Sequence, residues 1–298
     1  MESLRGVYPI LAMPFDAQGR IDVEALQGEV EYMVGAGVDG VGLALASEIP
    51  MLGEAERELA LEVVVRQVHG RVKVVMNTSA AGTDLAVHYG RRAEELGADA
   101  VMVLPPPVAT SAAETIDYFA QVALAVNLPI FIQDIASAPV APALAARIAS
   151  STPHAWYLKA ETPPTPSRVA EVLALATDRV TVFGGAGGGF FIEELRRGSV
   201  GTMPGSTIPE VFARIWKLAQ AGELDQAEAE FAPYAALLRL LGQGNGIGFY
   251  LTKEVLRLRG VFTRTEVRRP AVQPDELAYR EIRHQVEALG LEHQGAPR

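Results

Sequence analysis

The sequence has no cysteine among its 298 residues, which excludes disulfide bonds and any thiolate nucleophile or ligand. Positive charge is also scarce, because 26 lysines and arginines stand against 36 aspartates and glutamates, a formal net charge of −10. Such a chain offers no basic surface to neutralise phosphates, so we expect no nucleic-acid partner. No stretch approaches the roughly 18 uncharged apolar residues that a spanning helix needs, so we expect no membrane partner.

The N-terminal residues, MESLRGVYPILAMPF, contain an apolar run that is too short for a secretory signal and is interrupted by Pro9 and Pro14. This start is typical of a first β-strand. Together with the missing cysteines, it predicts a cytoplasmic protein. Hydrophobic residues make up 49% of the chain, enough for one large α/β domain or two ordinary ones.

Short β-branched runs alternate with helical patterns every 25 to 30 residues, which is typical of parallel strands joined by crossover helices. Eight such units predict a (β/α)8 TIM barrel. A doubly wound sheet is the alternative, but no G-x-G-x-x-G follows the first strand. Asp22 and Thr83 are candidate N-caps, and Gly37 and Gly97 lie just past predicted helix ends. The predicted strands are VYPILAM from Val7, GVGLAL from Gly40, VKVVMN from Val72, AVMVLP from Ala100, PIFIQD from Pro129, AWYLK from Ala155, VTVFGG from Val180 and VGTMPG from Val200.

The pattern becomes purely helical after Gly222. We therefore predict a catalytic barrel over residues 1–222 and a helical extension over residues 223–298, with helices that pack on the barrel or on a neighbouring subunit. The last residues, EHQGAPR, are predicted to be loose.

Lys159 ends the predicted sixth strand, within the stretch WYLKAETP. Catalytic groups of TIM barrels come from these C-terminal strand ends and from the loops that follow them. The chain contains three other lysines and otherwise uses arginine, and Lys73 begins a strand while Lys217 and Lys253 fall on predicted helices. A solvated loop lysine is the alternative, but its position favours a functional role for Lys159.

Side chains alternate along a strand, so Tyr157, Lys159 and Glu161 are predicted to share one side and Leu158 and Ala160 the other. If the first side faces the barrel interior, the amine is desolvated. Desolvation favours the neutral form of a lysine, which is the form that attacks a carbonyl carbon.

At this point the chain resembles a known family. GVYPILAMPFDAQGRID at the N-terminus, the Ser-Glu pair after strand two, LPIFIQD, LKAET and the terminal helices resemble the dihydrodipicolinate synthase and N-acetylneuraminate lyase superfamily of class I aldolases. The resemblance covers essentially the whole chain. It implies a Schiff-base enzyme for pyruvate or another 2-oxo acid, with Lys159 as the imine-forming lysine, no cofactor, and a homotetramer built as a dimer of dimers.

The chain departs from the family pattern in the loops. Gly-Thr-Thr-Gly-Glu after strand two is replaced by Ala44-Leu45-Ala46-Ser47-Glu48, and Tyr-Asn-x-Pro after strand five by Gln133-Asp134-Ile135-Ala136. The arginine that lysine-biosynthetic members place after that tyrosine is matched by Ala138, and their tyrosine pair after strand four by Pro106 and Pro107. An amide cannot shuttle a proton as a phenol does, so these changes disfavour lysine biosynthesis.

A subgroup shares the Ser-Glu pair, the Gln-Asp after strand five and Lys-x-Glu-Thr-Pro. The chain resembles 2-keto-3-deoxy-L-arabonate dehydratases in these motifs, which implies conversion of that acid to 2-oxoglutarate semialdehyde. Lys159 would form the iminium, Glu161 would do the acid and base work, and Gln133 would orient the substrate hydroxyl or imine. A pyruvate-dependent aldolase and a non-catalytic 2-oxo acid binding protein are the alternatives.

Several weaker candidates complete the predicted site. Ser47 and its neighbours Ala46 and Glu48 would bind the substrate carboxylate, although a serine there can also serve as an N-cap. Tyr157 would line the site or simply pack beneath the lysine. Gly185 would let the backbone approach the substrate, and Ser206 is a further polar candidate. Asn77, Thr78 and Ser79 are similarly placed after strand three.

Two other enzyme classes are disfavoured by the motifs. The five histidines form no H-x-H or H-x-x-x-H pair, so we expect no metal. GGAGGG from Gly184 lacks the Lys-Ser or Lys-Thr of a P-loop, so a nucleotide site is not predicted.

Overall fold

The computed structural model of the chain, which describes residues 3–244 and 246–292, confirms the alternation of eight strands and crossover helices. All the strand pairs are parallel. The strands are β1 Gly6–Val7, β2 Gly40–Leu43, β3 Lys73–Asn77, β4 Ala100–Val103, β5 Ile130–Asp134, β6 Trp156–Ala160, β7 Val180–Gly184 and β8 Gly201–Thr202.

A helix follows each strand, as the alternating pattern predicts. The barrel helices are α1 Val23–Gly35, α2 Glu54–Val68, α3 Thr83–Glu95, α4 Ala112–Ala125, α5 Pro142–Ser151, α6 Thr165–Ala176, α7 Phe191–Leu195 and α8 Pro209–Gln220. Short 3-10 turns at Leu45–Ser47, Ile49–Met51 and Ala186–Gly188 lie in the loops after β2 and β7.

The sheet runs in the order β1-β8-β7-β6-β5-β4-β3-β2 and closes through the segment after β1. The amide of Gly42 donates to the carbonyl of Pro9, and the amide of Leu11 donates to the carbonyl of Gly42, both at 2.9 Å. β1 and β8 are shorter than predicted because Pro9 and Pro204 have no N–H to donate to a ladder. Ile10 continues the closure through isolated bridges to Gly42 and Gly205.

The barrel interior has its own apolar cluster, separate from the layer between strands and helices. Tyr157 belongs to the interior cluster with Phe131 and Phe183, whereas Leu158 and Ala160 belong to the outer one. The predicted facing of strand six is therefore confirmed.

Helix caps were predicted with mixed success. Asp22 caps α1 by accepting from the amide of Ala25 at 3.0 Å, and Gly37 and Gly97 have φ of 78° and 92° just past α1 and α3. The prediction for Thr83 was wrong. Gly82 is the N-cap and Thr83 is already helical, because the cap position needs extended backbone and a glycine satisfies it without a side-chain bond.

The segment after Gly222 is helical, as predicted, and buries its apolar residues in the same outer cluster as the barrel. Its helices are α9 Leu224–Phe231, α10 Ala235–Leu241, α11 Ile247–Leu258 and α12 Glu276–Ala288. The boundary at residue 222 stays a prediction, and the tail from residue 293 onward lies outside the described residues. Within residues 3–244 and 246–292, none of the helices has the length and apolarity to cross a membrane.

Candidate active site

Lys159 lies near the C-terminal end of β6, in register with Gln133 on β5 and Phe183 on β7. Only 3% of its surface is exposed. Its Nζ lies 3.0 Å from the Oε1 atom of Glu161, with which it forms an ion pair. The structure therefore brings the predicted lysine and the predicted acid together, inside the ring of strands.

Glu161 is held by three strand ends. Its Oε2 accepts from the amide nitrogen of Gln133 at 2.9 Å, and its Oε1 accepts from the backbone amide of Ala186 at 3.3 Å. The side-chain oxygen of Gln133 in turn accepts from Asn77 at 3.2 Å. Because both ends of the Gln133 amide are occupied, this residue fixes the direction of the carboxylate beside Lys159.

Gly185 leaves space for the side chains of Glu161 and Lys159. A Cβ atom at Gly185 would lie 2.5 Å from Cγ of Glu161 and 3.0 Å from Cε of Lys159. Any side chain there would displace the pair, so the glycine permits the approach of two buried side chains to the β7 backbone.

A cavity of about 500 Å³ opens above Lys159 at the C-terminal end of the barrel. Lys159, Glu161, Gln133 and Ala46 line it, and the helical extension forms part of its wall. The polar side chains elsewhere on its surface are Ser137, Thr207 and Thr252. The apolar part of the wall comes from Ile10, Leu45, Ile135, Met203, Leu238, Leu241 and Phe249.

Leu45 and Ala46 of the loop after β2 line this cavity, while the Ser47 hydroxyl is engaged elsewhere. That hydroxyl donates to the carbonyl of Leu11 at 2.5 Å and accepts from the amide of Ala44 at 3.1 Å, so it acts as a cap. The amides of Leu45 and Ala46 have no acceptor within the described part of the chain. Two residues of the cavity wall therefore have backbone N–H groups that donate to no acceptor among the described residues.

Glu48 does not reach the cavity. It is fully buried, and its Oε1 accepts from the Nζ of Lys253 at 2.6 Å. Burial raises the pKa of Glu48 and lowers the pKa of Lys253, while the charge of each partner acts in the opposite direction. Lys253 was predicted only as a helix residue, because no local signal marks a helical lysine that faces inward.

Tyr157 and Ser206 also lie away from the cavity. The hydroxyl of Tyr157 accepts from the amide of Leu4 at 3.0 Å, which places it toward the N-terminal end of the barrel, and its ring stacks on Phe131. Ser206 is fully buried next to Glu29. Of the two roles considered for Tyr157, these contacts are those of packing beneath the lysine.

Two buried glutamates flank the site without entering it. Burial raises the pKa of Glu29 to about 8 and that of Glu194 to about 8. Glu29 accepts from the amide of Ala12 at 2.9 Å, and Glu194 accepts from the hydroxyl of Thr165 at 2.5 Å behind Gly184. Neither glutamate was identified from the sequence, since both lie on predicted barrel helices.

Three further residues of the cavity wall were not identified from the sequence. Phe249 and Thr252 project from α11 into the cavity, and Thr207 does so from the loop after β8. Sequence patterns predict the helix or loop on which such a residue lies, but not that this helix or loop borders the cavity at the end of the barrel. Within the described ranges, no three histidine or acidic side chains are grouped as they would be to hold a metal ion.

Comparison with known proteins places this geometry in context. Residues 3–289 match the dihydrodipicolinate synthetase family. An L-2-keto-3-deoxyarabonate dehydratase from Azospirillum brasilense is 30% identical over 286 residues, covering 92% of this chain and 91% of that protein. A 4-hydroxy-tetrahydrodipicolinate synthase from Xanthomonas campestris pv. campestris is 29% identical over 267 residues, covering 82% of this chain and 88% of that protein.

Solved structures share the whole fold. Dihydrodipicolinate synthase from Rhodopseudomonas palustris superposes with a TM-score of 0.88 at 26% identity, covering 95% of this chain and 97% of that one. A prophage protein of the dihydrodipicolinic acid synthase family from E. coli K12, solved in complex with pyruvate, has a TM-score of 0.89 at 24% identity and covers 96% of this chain and 99% of that one.

Proposed function

The chain belongs to the dihydrodipicolinate synthetase family and is a Schiff-base lyase, and from this premise we propose that it dehydrates a 2-keto-3-deoxy sugar acid. The substrate that we propose is 2-keto-3-deoxy-L-arabonate, with 2-oxoglutarate semialdehyde as the product. The observation that carries the proposal is the buried Lys159 amine 3.0 Å from the Glu161 carboxylate at the cavity floor. The similarity to the Azospirillum dehydratase supports the choice of substrate.

Imine formation is the first step. The ammonium of Lys159 must lose a proton before it can attack C2, and the Glu161 carboxylate is the base in contact with it. Attack on the carbonyl gives a carbinolamine, which loses water to form an iminium ion. The iminium withdraws electrons from C3 and so acidifies its protons.

Elimination follows at C3 and C4. Removal of a C3 proton gives an enamine, whose electrons expel the C4 hydroxyl as water when an acid protonates it. We assign both proton transfers to Glu161, because a carboxyl group can give back at C4 what it has taken at C3. Gln133 and Asn77 keep that carboxyl pointed at the reacting carbons.

The remaining steps balance the reaction. Elimination leaves an unsaturated iminium with a C3–C4 double bond. Loss of a C5 proton and of the C5 hydroxyl proton, together with protonation at C3 and C4, converts the C5 alcohol to an aldehyde. Water then hydrolyses the imine and frees Lys159. Over the whole sequence the sugar acid loses a single molecule of water, with no external oxidant and no carbon–carbon bond broken.

We assign substrate binding to the cavity wall. The free amides of Leu45 and Ala46 would bind the carboxylate at C1, as backbone donors bind anions at other turns. The hydroxyls of Thr207 and Thr252 would bind the distal hydroxyls of the sugar acid. Ser47 would act by shaping the turn.

Aldol cleavage is the second candidate, because the Xanthomonas relative bears a synthase name at 29% identity. Retro-aldol cleavage needs a base on the C4 hydroxyl. Gln133 occupies the place where the resemblance leads us to expect a tyrosine, and its amide is neither acid nor base. This favours dehydration.

One experiment separates these reactions. The protein is incubated with 2-keto-3-deoxy-L-arabonate, and the products are identified in one sample without reductant. In a parallel sample, sodium borohydride reduces the imine to a stable adduct that mass spectrometry locates. We expect semialdehyde without pyruvate and an adduct on Lys159. Pyruvate release would establish the aldolase, and saturable binding without any adduct would indicate a 2-oxo acid binding protein.

We also propose a homotetramer built as a dimer of dimers, in the cytoplasm. Exposed apolar side chains such as Val108, Leu124 and Val272, at 69%, 73% and 64% exposure, are consistent with contact surfaces. Light scattering of the purified protein gives the mass that tests the assembly, and cell fractionation tests the location.

A further inference from the structure

Lys253 is the second buried lysine of the chain, and the mechanism above does not use it. It projects from α11 and is 1% exposed. Its Nζ donates to the Oε1 of Glu48 at 2.6 Å and to the carbonyl of Glu266 at 2.5 Å, and it lies 4.6 Å from the centre of the Phe15 ring. A charge this deeply buried is costly, so an ion pair here constrains whatever it joins.

What it joins is the loop after β2. Glu48 has φ of 57°, a left-handed conformation that costs a residue with a side chain roughly 1 kcal/mol and persists only where its surroundings enforce it. Both carboxylate oxygens are bound by the extension, one by Lys253 and the other by the backbone amide of Arg268 at 2.7 Å. The extension therefore enforces the backbone conformation at Glu48.

The 3-10 turn Leu45–Ser47 ends at Glu48. Ser47 attaches the turn to Leu11 and Glu48 attaches it to the extension, so it is fixed on two sides. Between these attachments lie Leu45 and Ala46, which line the cavity and whose amides have no acceptor among residues 3–244 and 246–292. Their direction depends on the same backbone that Glu48 holds.

We propose that Lys253 is a positioning residue for substrate carboxylates, because through Glu48 it fixes the turn whose amides bind them. The inference rests on the proposed function only in requiring a 2-oxo acid as ligand. Its charge is compensated by Glu48, so it acts by geometry and not by attracting the anion from a distance. Loss of Lys253 weakens the binding of ligands with a carboxylate and spares neutral ketones that react with the same Lys159.

The test compares pyruvate with pyruvamide, its neutral analogue, in borohydride trapping at Lys159. The variants are Lys253→Met and Lys217→Met. Lys217 is an exposed lysine on α8, so its variant makes the same substitution without removing a buried ion pair. For Lys253→Met, we expect the concentration for half-maximal trapping to rise about tenfold with pyruvate and to stay within about twofold with pyruvamide, as for loss of a hydrogen bond to a charged group. Lys217→Met leaves both values unchanged.

A second variant guards against misfolding. Lys253→Met leaves Glu48 buried without its partner, whereas Lys253→Met with Glu48→Leu removes both charges and gives an apolar pair. A folded double variant that has lost the preference for pyruvate supports the proposal. Equal losses for both ligands, or no loss for either, overturn it.

Failure of the proposed function has a different signature. A wild-type protein that traps pyruvate but dehydrates no sugar acid refutes the proposed reaction, while the pyruvate and pyruvamide comparison still decides the role of Lys253. A wild type without any adduct refutes both.

Discussion

The two buried lysines of this chain, Lys159 and Lys253, each contact a glutamate, yet only one of the pairs borders the cavity. Lys159 and Glu161 lie at the cavity floor, and 16% of the Glu161 side chain is exposed. Lys253 and Glu48 are sealed between the β2 loop and the extension, with 1% and 0% of their side chains exposed. Burial and ion pairing alone therefore do not identify a reactive lysine. We propose that access from the cavity does.

The largest effect on activity is expected at the pair that borders the cavity, Lys159 and Glu161. Lys159→Ala removes the nucleophile, so we expect dehydration to fall by about 10⁴-fold or more while the circular dichroism spectrum stays that of the wild type. The control is Lys217→Ala on the exposed face of α8, which should leave the rate unchanged. A Lys159→Ala variant within tenfold of wild-type activity, or an adduct on Lys253, would break the comparison.

Glu161→Gln tests the partner of the lysine that we propose to be reactive. It keeps the size of the side chain but cannot carry a proton, so we expect turnover to fall by about 10² to 10⁴-fold. The Lys159 adduct should still accumulate on long incubation with pyruvate. The rates of product formation and of trapping separate these steps, and unchanged turnover would move the acid and base role elsewhere.

The Lys253–Glu48 pair, which is buried away from the cavity, is expected to affect the stability of the protein more than the rate of the reaction. Lys253→Met strands the Glu48 carboxylate, which should lower the free energy of unfolding by about 3 kcal/mol. Adding Glu48→Leu should restore most of it, because the buried charge is gone. Urea unfolding measures both, and a double variant as unstable as the single one would show that the pair matters for some other reason.

Glu194 extends the comparison of the two Lys–Glu pairs to a buried glutamate that has no lysine partner among the described residues. Its pKa is raised from 4.5 to about 8, so between these pH values the folded state holds a proton that the unfolded state has released. Stability should therefore fall as pH rises from about 4.5 to 8, by at most about 1.4 kcal/mol per pH unit for this group, and not fall further above 8.

Glu194→Gln removes that contribution. Glu29 has a similarly raised pKa and acts with the same sign, so the pH dependence from these two groups should fall by about half. Unfolding by urea at several pH values from 5 to 9 gives the slope for the variant and the wild type. Equal slopes would mean that Glu194 stays ionised in the folded protein.

The parts of this fold that follow from periodicity were predictable. The period-two alternation of side chains along WYLKA put Lys159 and Tyr157 on one face, which the structure shows to be the barrel interior, and the regular βα units identified the barrel itself. The ends of β1 and β8 were less predictable, since prolines end the ladder while Ile10 continues the closure through isolated bridges.

The site was predictable only where it lies on strands. Gln133 and Lys159 are fixed by the register of β5 and β6, and Glu161 follows directly. Glu48 was placed with the substrate carboxylate because it lies next to Ser47 in sequence. Its left-handed backbone turns it toward Lys253 instead, a partner 205 residues away that no local pattern identifies.

The division of labour around the cavity bears on how such an enzyme can be altered. Lys159 and Gln133, to which we assign roles in the reaction, lie on β6 and β5, whereas Leu238, Leu241, Phe249 and Thr252 of the cavity wall all come from α10 and α11. Exchange of these two helices between homologues, with Lys253 retained, would vary the size and polarity of the chamber while leaving its reactive floor intact. Laboratory evolution for new sugar acids should therefore begin in the last quarter of the chain.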